Sequence, residues 1–193
     1  MKKLVLTLLI SLSTVVLAET PKGFFGIELL KNAKQYVTDA TLAGKVKNKE
    51  TIGKYYDVFI NPPERNPYYE RYYLVIDEKN LVHNIQGDKD FNSLENCLNE
   101  INVVINKLEN KYNFKLIEQE IINPGFKSYL NYQYFSNGAY LTIQCNEHSN
   151  GDVLSTIQYQ TKKYGQDSDK FYDRGFWENK SWKVNQPIYL INS

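Results

Sequence analysis

Cys97 and Cys145 are the only cysteines in the 193-residue chain, and they fall in segments of different periodicity. From Leu94 to Tyr112 the apolar residues Leu94, Cys97, Leu98, Ile101, Val104, Ile105, Leu108 and Tyr112 step by three and four. That spacing predicts one face of an amphipathic helix, with Ser93 or Asn92 as its N-cap. From Ala139 to Cys145 the pattern has period two, and Leu141, Ile143 and Cys145 share a strand face. Both sulfurs are then directed into the layer between helix and sheet, where a bond would pin one element over the other. It would close a loop of about 49 residues, worth about 4 kcal/mol in the chain-entropy model.

A disulfide persists in an oxidising compartment, and the N-terminus reads as the route to one. Lys2 and Lys3 precede the 14 apolar or small residues Leu4–Leu17, and Val16-Leu17-Ala18 has the small-residue pattern of a signal-peptidase site. A membrane span needs about 20 apolar residues, so residues 1–18 are expected to be a cleaved signal and not an anchor. The expected location is periplasmic or secreted, with no membrane anchor after cleavage. Removing Lys2 and Lys3 leaves 21 basic and 22 acidic side chains, a net charge of −1, which gives no footing for a nucleic-acid partner.

The other segments predict an α+β domain over residues 19–160. A short helix is expected over Lys31–Thr38, then an exposed connection over Asp39–Lys54. Strands are expected at Tyr55–Ile60, Tyr69–Ile76 and Leu81–Ile85, with Asp77-Glu78-Lys79-Asn80 as a turn. After the long helix, Lys115–Ile122, Lys127–Phe135, Ala139–Cys145 and Val153–Gln160 read as a second antiparallel meander, with an Asn-Gly turn at Asn137-Gly138. The fold expected is an antiparallel sheet with the long helix on one face. Its element order permits two helix-plus-three-strand halves, residues 23–87 and 92–160. Residues 161–193 form a tail expected to fold back on the domain, with Ile188-Tyr189-Leu190-Ile191 as a last strand.

Chemistry-bearing patterns are sparse. His83 alternates with Leu81 and Ile85, as a packed histidine would, and His148 sits in the polar loop Asn146–Asp152. Asp167, Asp169 and Asp173 with Glu178 at the twelfth position resemble a calcium loop, but Lys170 and Phe171 occupy its middle where a glycine is required. No nucleophile elbow, metalloprotease helix, P-loop or dinucleotide motif occurs. No catalytic residue, metal or cofactor is predicted. Sixteen tyrosines recur mostly within strands, where they pack well. Tyr68, Tyr69, Tyr72, Tyr132 and Tyr134, with Trp177 and Trp182 of the tail, are the expected interaction surface of a non-enzymatic binding module. Its partner would be an envelope protein or glycan. The competing reading is an envelope hydrolase with a site built from His148 and Glu147.

The segments Phe25-Gly26-Ile27, Tyr73-Leu74-Val75-Ile76-Asp77, Val82-His83-Asn84-Ile85, Leu94-Glu95-Asn96-Cys97-Leu98 and Ile143-Gln144-Cys145 resemble a group of uncharacterised small exported bacterial proteins from AT-rich genomes. That resemblance implies compartment and architecture and brings no activity. In element order the chain is also similar to β-lactamase-inhibitor-like and outer-membrane-assembly lipoprotein folds, where short helices precede three-stranded meanders. It departs from them in having one helix per unit and no lipobox cysteine, and the likeness implies a binding module.

Overall fold

The computed structural model describes residues 20–51, 53–123 and 125–171. The signal read over residues 1–18, together with Asp173, Trp177, Glu178, Trp182 and the strand read over 188–191, lies outside them. The chain is mixed α and β, dominated by one antiparallel eight-stranded sheet. Its strands are β3 (Val46–Lys47), β4 (Tyr56–Phe59), β5 (Arg71–Ile76), β6 (Val82–Phe91), β7 (Ile117–Asn123), β8 (Phe126–Tyr134), β9 (Tyr140–His148) and β10 (Val153–Gln160). The order is β3-β4-β5-β6-β10-β9-β8-β7, so each meander contributes four strands and β6 pairs with β10 to join them in one continuous sheet. The four strands read after the long helix are all present, and the first meander gains one strand beyond the three expected, β3, within the stretch read as an exposed connection over Asp39–Lys54.

Helix α2 (Leu94–Tyr112) coincides with its sequence reading. Ser93 caps it by accepting the Asn96 N–H at 3.2 Å, and Asn113 ends it in the left-handed region at φ 51°. Its buried side chains are Cys97, Ile101, Val104, Ile105 and Glu109, and they lie over β6, β9 and β10. The sulfurs of Cys97 and Cys145 stand at disulfide distance, with Cα atoms 6.1 Å apart. The strand register explains the apolar layer beneath α2. Val58, Leu74, Ile85, Tyr159 and Leu141 form one cross-strand row, and Tyr72, Gly87, Ile157 and Ile143 form the next.

The first helical segment differs from its sequence reading. Residues 31–38 form only a three-residue 3₁₀ turn, Ala33–Gln35, and the α-helical turns come later, in α1 (Asp39–Ala43). Two local caps cause the split: Asn32 Oδ1 accepts the Lys34 N–H at 3.0 Å, and Thr38 Oγ1 accepts the Thr41 N–H at 3.2 Å. Short polar side chains that bond nearby backbone groups restart the helix instead of extending it. Before this segment, β1 (Gly23–Phe24) and β2 (Ile27–Glu28) form a tight hairpin whose turn residues, Phe25 and Gly26, both have positive φ. The hairpin delivers Phe24, Phe25 and Ile27 into the core, with the Phe25 ring 4.9 Å from that of Tyr72.

Residues 161–171, read as the start of a tail, are built into the fold. α3 (Lys162–Phe171) follows β10 directly, and its Tyr164 packs with Tyr55 and Val75 on the sheet face opposite α2. Among the described residues no helix is long and apolar enough to cross a membrane.

Candidate functional site

The sheet face opposite α2 follows from the same register and has a different chemistry. One row across seven strands reads Phe59, Tyr73, Gln86, Gln158, Thr142, Tyr132 and Ile117. The row beside it reads Arg71, Asp88, Thr156, Gln144, Leu130 and Gln119, and on the other side Asp57, Val75, Asn84, Gln160, Tyr140 and Tyr134 align. Amides and hydroxyls occupy the central strands β6, β10 and β9, and aromatic rings occupy both flanks.

These side chains form a continuous ladder. Tyr73 Oη donates to Asp88 Oδ2 at 2.8 Å and Gln86 Nε2 to Asp88 Oδ1 at 3.0 Å. Gln158 Nε2 donates to Gln86 Oε1 at 2.9 Å, and Thr142 Oγ1 to Gln158 Oε1 at 3.4 Å. Asp88 is 4 % exposed; burial raises its pKa, opposed by hydrogen bonds from Tyr73, Gln86 and Thr156 and by the charge of Arg71. Tyr73 is pushed up to about 12, first by burial and then by its bond to Asp88. Arg71 meets Asp90 in a two-bond fork of 2.5 and 2.7 Å. Beside Val75 on this face, Asn84 is fully buried and its Oδ1 has no hydrogen-bond partner among the described residues.

Aromatic residues frame the ladder. Phe59 and Tyr73 meet edge-to-face at 4.9 Å on one flank; Tyr134 lies 5.7 Å from Tyr132 and 5.3 Å from Tyr140 on the other. Val46, Phe59, Ile117 and Tyr134 are 55 %, 65 %, 53 % and 45 % exposed, and the register puts all four on this face at its outer strands.

The tyrosines singled out from the sequence divide between two environments. Tyr132 and Tyr134 belong to the amide face. Tyr69 and Tyr72 are core residues, 4 % and 3 % exposed, against Phe25, which removes them from any interaction surface. Their segment runs along the α2 side of the sheet, where aromatic bulk fills the space over Gly87. Tyr68 packs against the same cluster with Lys107 Nζ 5.2 Å from its ring centre.

Glu147 and His148 are successive residues of β9 and so project to opposite faces. Glu147 aligns with Val153 and Lys127, while His148 aligns with Phe126, whose ring lies 6.3 Å away. The two do not converge. His83 is buried at a bulge between β5 and β6, with Nδ1 3.1 Å from Thr161 Oγ1 and Nε2 3.3 Å from Asp77 Oδ2. Burial lowers its pKa against the pull of Asp77. Asp167 takes the Lys54 ammonium and the Tyr55 hydroxyl, each at 3.1 Å. No group of three or more His, Cys, Asp or Glu among the described residues is placed to hold a metal ion. Gln86, Asp88, Thr142, Gln144 and Gln158 were missed by sequence reasoning. Their signal was the polar half of the period-two pattern, which carries no meaning until the register aligns it.

No family profile, curated protein or solved structure matches the chain.

Proposed function

We propose that the chain is a non-enzymatic, exported binding module that reads its ligand with the amide face of the sheet. The observation that carries this reading is the Tyr73–Asp88–Gln86–Gln158–Thr142 ladder. It prearranges polar groups on rigid strands and is flanked by exposed aromatics, the combination that recognition surfaces use for orientation and contact area. Export rests on the N-terminal pattern and on a cysteine pair at bonding distance, which an oxidising compartment maintains. The partner belongs to the cell envelope or its surroundings.

A photo-crosslinking amino acid at Gln158 or Phe59, compared with one at Val103 on the outer side of α2, tests the reading in envelope preparations. Discrete products from the first two positions and none from Val103 are expected. Equal labelling from all three positions, or no labelling from any, overturns the assignment of this face.

A further inference from the structure

We infer that the occupant of the amide face is a neutral, polyhydroxylated chain, a glycan lying across the strands; this deepens the binding-module reading and rests on it.

Charge is the first argument. The charged side chains in the rows of this face are Asp57, Arg71, Asp88 and Asp90, and each is engaged within the protein. Arg71 is forked to Asp90, Asp88 accepts from Tyr73 and Gln86, and Asp57 accepts from Asn48 Nδ2 at 2.6 Å. An ionic ligand finds no counter-charge there; the complement of such a face is an uncharged one.

The second argument is hydrogen-bonding capacity. Each glutamine amide offers two N–H donors and a carbonyl acceptor, the mixture that alcohol groups require. Gln86 and Gln158 each spend one N–H on the ladder and keep the other; their carbonyls accept within it, Gln86 from Gln158 and Asn84 and Gln158 from Thr142, while the side chain of Gln144 makes no hydrogen bond among the described residues. All three are half-buried and stand on the same face of the adjacent strands β6, β10 and β9.

The third is the placement of apolar groups. A protein partner is met by an apolar centre within a polar rim, whereas this face has amides at its centre and Phe59, Tyr132, Tyr134 and Ile117 towards its edges. Five strand spacings of about 4.8 Å separate Phe59 from Tyr132, a span of about 24 Å. A glycan fits both features: its hydroxyls face the glutamines and its C–H surfaces lie on rings at either end.

The test is an array of neutral gluco-, manno- and N-acetylglucosamine oligosaccharides of increasing length, with anionic oligosaccharides and envelope peptides as other probes, followed by calorimetry on the hits. Binding to a neutral series that tightens with length, and that weakens by about tenfold or more in Gln86→Ala/Gln158→Ala, is expected. Phe59→Ala, at an exposed position, should weaken it too, with far-UV dichroism unchanged in both variants. Binding to no neutral probe, preference for anionic or peptide probes, or full affinity in folded variants overturns the proposal. A protein captured from Gln158 in the crosslinking experiment would overturn the glycan and leave the binding-module reading standing.

Discussion

Gly87 leaves the gap in β6 that the Phe25 ring fills. A Cβ at Gly87 would meet Phe25 Cζ at 3.1 Å and Tyr69 Cγ at 3.0 Å, so the hairpin tip and the sheet interlock at this point. Phe25 has φ 56° there, a conformation L-residues rarely adopt, and is held in it by burial against Tyr69 and Tyr72.

Gly87→Ala should therefore destabilise the protein by about 1–3 kcal/mol through overpacking. Adding Phe25→Leu, which vacates the colliding ring edge, should recover part of that loss, so the two effects are non-additive. Urea midpoints of the single and double variants check this, and strict additivity would refute the interlock.

The cysteine pair predicts a mature protein two mass units lighter than its thiol form, because the bond removes two hydrogens. Cys97 and Cys145 are 48 residues apart, and reduction should cost about 4 kcal/mol of stability by freeing the unfolded chain. Both sulfurs are fully buried, so reduction in native buffer should be slow and should speed up in denaturant. Intact mass with and without reductant, and urea midpoints of each form, measure the two effects. Free thiols in exported material would contradict them.

Acid should weaken the fold before any carboxylate in its ordinary range titrates. His83 is buried, Asp77, Asp167, Lys163 and Tyr55 surround it, and desolvation lowers its pKa. With Nε2–H donating to the Asp77 carboxylate, neutral His83 is left to accept from Thr161 at Nδ1, and Thr161 in turn caps α3 by accepting the Tyr164 N–H at 3.2 Å. The unfolded chain binds the proton more readily than the folded one, so stability declines as pH falls below about 6.5 and levels off below the folded pKa. Urea midpoints at about pH 7.5 and about pH 5 should show the decline, and His83→Gln should flatten it. Equal pH slopes in wild type and variant would discard His83 as the cause.

Single-residue periodicity was enough for α2, for the placement of Cys97 and Cys145 towards each other, and for the meander from β7 to β10. Those elements are decided locally, by the 3.6-residue and two-residue repeats. The split of residues 31–43 was not visible, because side-chain caps from Asn32 and Thr38 outweigh the apolar spacing of Ala33, Tyr36 and Val37. The amide face was hidden for a different reason. Gln86, Gln144 and Gln158 are far apart in sequence and each looks like the solvated side of an ordinary strand; only the β6–β10 and β10–β9 registers make them neighbours. Tyr72 and Tyr132 show the same limit, since both are strand tyrosines and only pairing reveals that they stand on opposite faces.

That opposition separates stability from binding. Tyr72 is 3 % exposed, and its hydroxyl donates to the Asn66 carbonyl at 2.6 Å, so Tyr72→Ala leaves both a cavity and an unmatched acceptor and should cost about 3–5 kcal/mol. Phe59, at 65 % exposure, touches Tyr73 from the solvent side, and its replacement by Ala should change stability by about 0.5 kcal/mol or less. If the amide face is the reading surface, the ranking inverts for ligand capture. Phe59→Ala then loses crosslinking yield at Gln158, whereas Tyr72→Phe, which keeps the ring and drops only the hydroxyl, retains it. Thermal midpoints beside crosslinking yields for the three variants give both rankings. Retention of full yield in Phe59→Ala, with loss in Tyr72→Phe, would move the binding surface to the α2 side of the sheet.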